Sequence, residues 1–152
     1  MDLILWRHAD AEILRPGQSD LDRALTPKGE RQARRMAAWL DARLDASTRI
    51  VVSPALRARQ TAEALGRKFD IVAAIAPDRS ADQLLAAVRW PDGDAPVLVV
   101  GHQPTLGIAA ARLLAGVAQD WAIRKSAVWW LRAGGARAQV TLLAAQTVEM
   151  LK

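Results

Sequence analysis

The sequence predicts a three-layer α/β/α sandwich, with a mostly parallel central sheet and an antiparallel edge formed near the carboxyl end. Two observations lead to this prediction. Short apolar runs alternate with longer stretches of helical period through most of the 152 residues. Two further apolar runs near the end are split by glycines, which is typical of a hairpin. The length favours a single domain over residues 1–152.

The first predicted elements are a strand, a loop and a helix. Residues 3–6 are apolar and stop abruptly at Arg7 and His8, as expected of a buried strand that delivers polar side chains at its carboxyl end. Residues 13–22 contain proline, glycine and serine and are predicted to form a loop. A helix should begin at Thr26, because its hydroxyl can cap the helix and the proline that follows suits the first turn.

A second strand and helix follow, and then a third apolar run. Residues 50–52 are β-branched, and Ser53 is predicted to cap a helix that runs to about residue 65. Gly66 is expected to end this helix. Residues 71–75 form the third apolar run and are predicted to continue the sheet.

The next strand is the clearest in the chain. Before it, Ser80 and Gln83 form a capping box that should open a helix to about residue 89. Residues 97–100 then form the strand, which ends close to His102 and precedes a helix over about residues 105–114. Each histidine of the chain therefore follows a predicted strand.

The last predicted element is a hairpin over residues 128–131 and 139–143, with the glycines of residues 134–135 between its strands. Side chains alternate between the two faces of a strand. Trp129 and Trp130 are therefore expected to lie on opposite faces of the sheet.

Composition excludes several classes of chemistry. The chain has no cysteine and only two histidines, His8 and His102, which excludes disulfides, thiolate metal sites and cysteine nucleophiles. The formal net charge of +5 comes from scattered arginines, which favours attraction of anionic substrates over nucleic-acid binding. Neither a transmembrane stretch nor a signal peptide is recognised, so a cytoplasmic location without membrane contact is expected.

The strongest candidates for chemistry lie where predicted strands end. Ligands of open α/β sheets bind beyond the carboxyl ends of the strands, where His8 and His102 should meet. A neutral histidine with one free ring nitrogen can act as a nucleophile. Arg7 could grip the nonbridging oxygens of a phosphoryl group. Arg57 could supply a second guanidinium, although position alone does not separate it from a solvated helix arginine such as Arg59.

Four ordered motifs carry a resemblance to a known family. They are LWRH at residues 5–8, LTPKGERQA at residues 25–33, SPALRARQTA at residues 53–62 and VGHQP at residues 100–104. Together they resemble the histidine phosphatase superfamily, whose fold is phosphoglycerate mutase-like. The resemblance implies that His8 is a nucleophile that becomes transiently phosphorylated. It also implies that Arg7 and Arg57 clamp the phosphoryl group and that His102 stabilises this group during transfer.

Within the superfamily, the short length and the segment DRALTP at residues 22–27 resemble the SixA-type phosphohistidine phosphatases. This resemblance implies a phosphorylated protein, such as a histidine phosphotransfer domain, as substrate and partner. Ala9 departs from the family, which usually has glycine after the catalytic histidine. We expect the position to need only a small side chain, because alanine at a positive φ would strain the loop that carries the nucleophile.

The general acid is less evident in the sequence. Superfamily members that act on phosphate esters resemble one another in placing an acid between the second arginine motif and the second histidine, where this chain has Asp78 and Asp82. Both also suit structural roles near the predicted cap at Ser80. Carboxylates near the first motif are the alternatives: Asp10, Glu12, Asp20 and Asp22. A phosphohistidine leaves as imidazole, with a pKa of about 6.5, and so needs a strong acid less than an alkoxide does.

No metal or cofactor is expected. Two histidines without cysteines or paired carboxylate motifs do not form a convincing metal site, and the phosphate loop GxxxxGK[ST] is absent. The leading hypothesis is a cofactor-independent phosphatase that acts through phospho-His8 on a protein phosphohistidine. The alternatives are a phosphatase of small phosphorylated metabolites, such as phosphosugars, and a noncatalytic phosphoprotein-binding module. The binding module is considered because Ala9 departs from the family pattern and no general acid is evident.

Overall fold

The computed structural model describes residues 1–134 and 139–152, so that Gly135 of the predicted hairpin turn lies outside the described residues. The main elements in chain order are β1 (Asp2–Arg7), α1 (Pro27–Asp41), β2 (Arg49–Val52), α2 (Leu56–Glu63), β3 (Asp70–Ile71), α3 (Ala81–Val88), β4 (Val97–Gly101), α4 (Thr105–Ala115), β5 (Val128–Gly134) and β6 (Gln139–Gln146). Short 3₁₀ helices lie at Asp20–Asp22, Ala73–Ile75 and Val148–Met150. None of the helices in the described ranges is long and apolar enough to cross a membrane.

The strands form one sheet in the order β3-β2-β4-β1-β5-β6. Strand β4 lies between β1 and β2 and pairs in parallel with both, and β2 pairs in parallel with β3. Strand β5 pairs antiparallel with β1 and with β6. The predicted sandwich, with a mostly parallel sheet and an antiparallel carboxyl-terminal edge, is therefore confirmed. Because β1, β2 and β4 run in parallel, their carboxyl ends meet at one edge of the sheet.

Each face of the sheet has its own apolar core. Leu3 and Leu5 of β1 pack on the face covered by α3 and α4, whereas Ile4 and Trp6 pack on the face covered by α1 and α2. Trp129 and Trp130 lie on opposite faces, as predicted. A fully buried leucine or isoleucine contributes about 1.5–3 kcal/mol. Because alternate side chains of β1 are buried on opposite faces of the sheet, the carboxyl end of this strand is held in place.

Two local predictions were wrong. Ser53 does not cap α2, because this helix begins at Leu56 with Ala55 as its N-cap residue, whereas the backbone N–H of Ser53 still donates to the carbonyl of Val100. Residues 71–75 are not one strand, since β3 ends at Ile71 and Ala73–Ile75 forms a 3₁₀ helix. Alanine is depleted in strands, and the two alanines of this run weaken its strand preference.

The predicted caps of α1 and α3 are confirmed. The Thr26 hydroxyl accepts a hydrogen bond of 2.9 Å from the N–H of Gly29. Ser80 and Gln83 form both bonds of the capping box at the start of α3. These caps fix where the two helices begin relative to the sheet edge.

Gly29 allows the first turn of α1 to approach the loop that follows His8. A Cβ at Gly29 would overlap the backbone carbonyl of Asp10. We expect Gly29→Ala to lower the free energy of unfolding by about 3 kcal/mol, because backbone overlap is not relieved by a side-chain rotation. Gly93→Ala is the control, since a Cβ there would come no closer than 3.6 Å to a neighbour. Equal urea midpoints for the two variants would contradict this packing.

Candidate active site

A pocket of about 480 Å³ opens at the edge where β1 and β4 end. Arg7 is paired with Gly101 across these two strands, which brings His8 and His102 together just beyond them. The four residues predicted from the sequence all line the pocket: Arg7, His8, Arg57 and His102. The parallel strands thus gather side chains that lie far apart in the sequence.

His8 lies just after β1 in a defined tautomer. Its Nδ1 is 2.7 Å from the carbonyl oxygen of Ala9. Because a carbonyl can only accept, Nδ1 carries the proton and the neutral ring has its free lone pair on Nε2. The backbone N–H of His8 donates to the carbonyl of Gly101 at 3.0 Å. The residue is only 7% exposed, so the ring is fixed in the form that can attack an electrophile.

Both histidines are neutral at pH 7. Burial, together with the charges of Arg57 and Arg7, lowers the pKa of His8 to about 4, although the bond to Ala9 opposes this shift. Burial also lowers the pKa of His102 to about 3, with a contribution from His8, whose ring centroid lies 5.1 Å away. Protonating either imidazole would cost free energy, because the rings are buried and lie near positive charges.

These depressed pKa values predict a titration that nitrogen NMR can follow, because the chain has only two histidines. At about pH 5.5 both imidazoles should remain neutral in the folded protein, whereas an unfolded histidine is mostly protonated. The unfolded state then binds more protons, so the free energy of unfolding should fall as the pH decreases from about 6.5 towards 4. Titration of either ring near pH 6.5 would contradict this description of the pocket.

His102 is held by Ser53, a contact that the sequence did not reveal. The Nε2 of His102 lies 2.7 Å from the Ser53 hydroxyl, which also accepts a bond of 3.1 Å from the N–H of Ala55. The Nδ1 of His102 is buried and has no partner within the described part of the chain. If the hydroxyl donates to Nε2, the proton of the neutral ring lies on Nδ1, which has no acceptor among the described residues.

Asp20 holds Arg57 in the pocket, although the two residues lie 37 apart in the sequence and no local pattern links them. Nη1 of Arg57 donates to the Asp20 carbonyl at 2.7 Å, and Nη2 donates to its carboxylate at 3.0 Å. The same carboxylate accepts a bond of 2.8 Å from Arg23. Burial alone would raise the pKa of Asp20, but hydrogen bonds from Arg23 and Arg57 hold it below its usual value. Asp20 is therefore an ionised partner of two guanidiniums rather than a proton donor.

The two candidate acids lie in different places. Asp78, in a left-handed conformation with φ of 69°, lines the pocket. Asp82 is not among the lining residues and forms an ion pair with Arg112 of α4. The structure thus brings only Asp78 to the site. No group of three or more metal-binding side chains occurs within residues 1–134 and 139–152.

Side chains of the second and third motifs support the loop after His8. The N–H of Ala9 donates to the Thr61 hydroxyl at 3.0 Å, and the N–H of Asp10 donates to the Gln32 side-chain oxygen at 2.9 Å. Ala9 is fully buried and does not adopt a positive φ. The position therefore does not require a left-handed backbone, and alanine fits there without that strain.

Two neutral histidines and two arginines at the edge of an α/β sheet form a cationic pocket suited to a phosphoryl group. The fold and the pocket therefore define an α/β enzyme of phosphoryl chemistry. The family model for the histidine phosphatase superfamily (branch 1) matches residues 3–79. The chain belongs to this superfamily and is a phosphatase. A noncatalytic binding module is thus not supported.

Individual relatives agree with this assignment. An uncharacterised protein of Picosynechococcus sp. is 36% identical over 91% of this chain and 89% of its own length. The phosphohistidine phosphatase SixA of Escherichia coli K12 is 32% identical over 76% of each chain. The structure of the protein histidine phosphatase SixA complexed with tungstate matches with a TM-score of 0.85 and 28% identity over 100% of both chains. The fold is therefore the phosphoglycerate mutase-like fold of SixA.

Proposed function

We propose that this phosphatase removes the phosphoryl group from a histidine side chain of a partner protein, through a phosphohistidine formed on His8. This proposal rests on the state of the two carboxylates that line the pocket, Asp20 and Asp78. Asp20 is ionised and bound to two arginines, and Asp78 is exposed. Asp20 is therefore not a proton donor, and Asp78 is not buried. An imidazole leaving group needs less protonation than an alkoxide, so an N-phosphorylated substrate suits this pocket.

In the first step, Nε2 of His8 attacks the phosphorus atom of the substrate. The bond from phosphorus to the substrate imidazole breaks, and the imidazole leaves with its electron pair and takes a proton from solvent. Arg7 and Arg57 bind the nonbridging oxygens and balance their charge. His102, with its proton on Nδ1, donates to one of these oxygens. The phosphoryl group is then bonded to His8.

In the second step, water attacks phospho-His8. The bond between phosphorus and Nε2 breaks, inorganic phosphate is released, and His8 returns to its neutral form. The bond from Nδ1 of His8 to the Ala9 carbonyl at 2.7 Å keeps the same tautomer throughout, because the proton on Nδ1 never needs to move. The low pKa of His8 makes its imidazole a good leaving group in this step.

The similarity to SixA adds independent support. The E. coli relative is named a phosphohistidine phosphatase, and tungstate, which is bound in the similar solved structure, is a tetrahedral oxyanion like phosphate. The pocket here also opens to the surface between side chains that a protein-borne phosphohistidine could reach. The lack of cysteine suits a reducing compartment, and a cytoplasmic location is part of the proposal.

A second candidate function is hydrolysis of small phosphate esters, and the position of Asp78 favours it. Asp78 lines the pocket and could protonate an alkoxide leaving group. In that case Asp78→Asn should lower turnover of alkyl phosphates far more than that of aryl phosphates, whose leaving groups are better. Asp82→Asn is the matched control, because Asp82 lies outside the pocket.

A side-by-side assay separates the two candidates. A phosphorylated histidine phosphotransfer domain and a panel of small phosphate esters are supplied to the wild-type protein and to the Asp78→Asn variant. We expect the highest kcat/KM for the phosphorylated domain and little change in the variant. Faster turnover of an alkyl ester, with strong dependence on Asp78, would assign the enzyme to small metabolites instead.

A further inference from the structure

A second, smaller cavity of about 290 Å³ adjoins the phosphoryl pocket. Arg7 and Lys125 line both cavities, so a substrate bound in one can extend into the other. The second cavity lies between the first turn of α1, which contributes Lys28, and the segment before β5, which contributes Arg124. We call it the side cleft and define it by its charged lining residues: Arg7, Asp10, Lys28, Arg124, Lys125 and Glu149.

The side cleft carries more positive than negative charge. Four of its lining residues are cationic, and two, Asp10 and Glu149, are acidic. Lys125 pairs with Asp10 at 2.7 Å, and Arg124 pairs with Glu149 at 3.0 Å. Lys28 has no ion pair with any residue in the described ranges. The dipole of the 15-residue helix α1 adds a partial positive charge near Lys28.

We propose that the side cleft binds a second anionic group of the substrate, the carboxylate of an acidic side chain that lies beside the phosphohistidine on the partner protein. This inference rests on the proposed function and adds a determinant of partner choice to it. The side chains of Arg124 and Lys125 are 68% and 46% exposed, so the surface of a folded protein can reach them. A carboxylate here would offset the excess charge of the cleft while the phosphoryl group lies against His8.

Such a contact should affect the association and binding of the partner protein rather than the chemical step. Complementary charges across an interface mainly raise the association rate and the selectivity for the correct partner. Lys28 and Arg124 line the side cleft but not the phosphoryl pocket. Removing their charges should therefore raise KM for a partner protein and leave kcat nearly unchanged.

The test compares wild type with the double variant Lys28→Ala/Arg124→Ala on three substrates. These are a phosphorylated histidine phosphotransfer domain, phosphoimidazole and an alkyl phosphate that bears a carboxylate. We expect kcat/KM for the domain to fall about fivefold, as for two exposed ion pairs, with a weaker dependence on salt. Phosphoimidazole, which has no second anionic group, should be hydrolysed at the wild-type rate, and this also shows that the variant is folded.

Arg34→Ala is the matched control, because Arg34 is exposed on α1 and lines neither cavity. It removes a charge without touching the side cleft and should leave all rates unchanged.

An unchanged kcat/KM of the double variant on the domain would overturn the inference while the proposed function stands. A selective loss on the carboxylate-bearing ester alone would also overturn it, by assigning the cleft to a metabolite. Failure of wild type to hydrolyse the domain at all would reject both proposals.

Discussion

His8→Ala is expected to lower kcat by at least about 10³-fold, on the phosphorylated protein and on an aryl phosphate alike. The reason is that the pocket offers neither a thiol nor a second imidazole ready to attack. The chain has no cysteine, and Nε2 of the other histidine, His102, is engaged by Ser53 at 2.7 Å. Initial rates of the purified variant measure the loss.

The control for this prediction is His102→Gln, which also removes an imidazole from the pocket. Because His102 is proposed to stabilise the phosphoryl group and not to bond to it, this variant should be impaired while still forming a covalent phosphoenzyme. Thermal midpoints of both variants verify that they are folded. Full turnover by His8→Ala would show that His8 is not the nucleophile.

Arg57→Lys should lower kcat/KM by about 10²- to 10³-fold, although the charge is conserved. Arg57, a residue only 3% exposed, uses Nη1 and Nη2 together to bind Asp20, and this holds its guanidinium at the pocket. A lysine has one ammonium group in place of the planar fork and does not reproduce this geometry. Steady-state kinetics on an aryl phosphate measure the effect.

Arg59→Lys is the matched control for Arg57→Lys, because Arg59 lies on the same helix but does not line the pocket. Its guanidinium donates to the carbonyl of Pro54 at 3.2 Å. The control should retain nearly full activity. Similar losses in the two variants would mean that the substitutions act through the helix rather than through phosphoryl binding.

The architecture could be predicted from the sequence because the patterns that indicate strands and helix caps are local. The apolar run of β4 and the caps at Thr26 and Ser80 each depend on neighbours within a few residues. The strand prediction for residues 71–75 was wrong because apolar character does not distinguish a strand from a 3₁₀ helix, and two of the five residues are alanines, which are depleted in strands. Strand order depends on contacts between distant segments, and the local patterns carry no information about it.

The site was predictable to the extent that it lies at strand ends. Parallel pairing of β1 and β4 brings His8 and His102 together, as the positions of the two histidines after apolar runs indicated. Contacts made by side chains across the fold were not predictable. Ser53 suited a helix cap equally well, and its bond to His102 joins residues 49 apart. Asp20 is separated from Arg57 by 37 residues, and no local pattern connects the two.

The most direct test of the central claim is to trap the phosphoenzyme. Wild-type protein is mixed with a histidine phosphotransfer domain that carries a labelled phosphoryl group, quenched under alkaline conditions within milliseconds, and digested for peptide mapping. We expect label on the peptide that contains His8, in a phosphorus–nitrogen bond that is lost in acid. Label on His102 instead, or release of labelled phosphate with no labelled enzyme at any quench time, would contradict it.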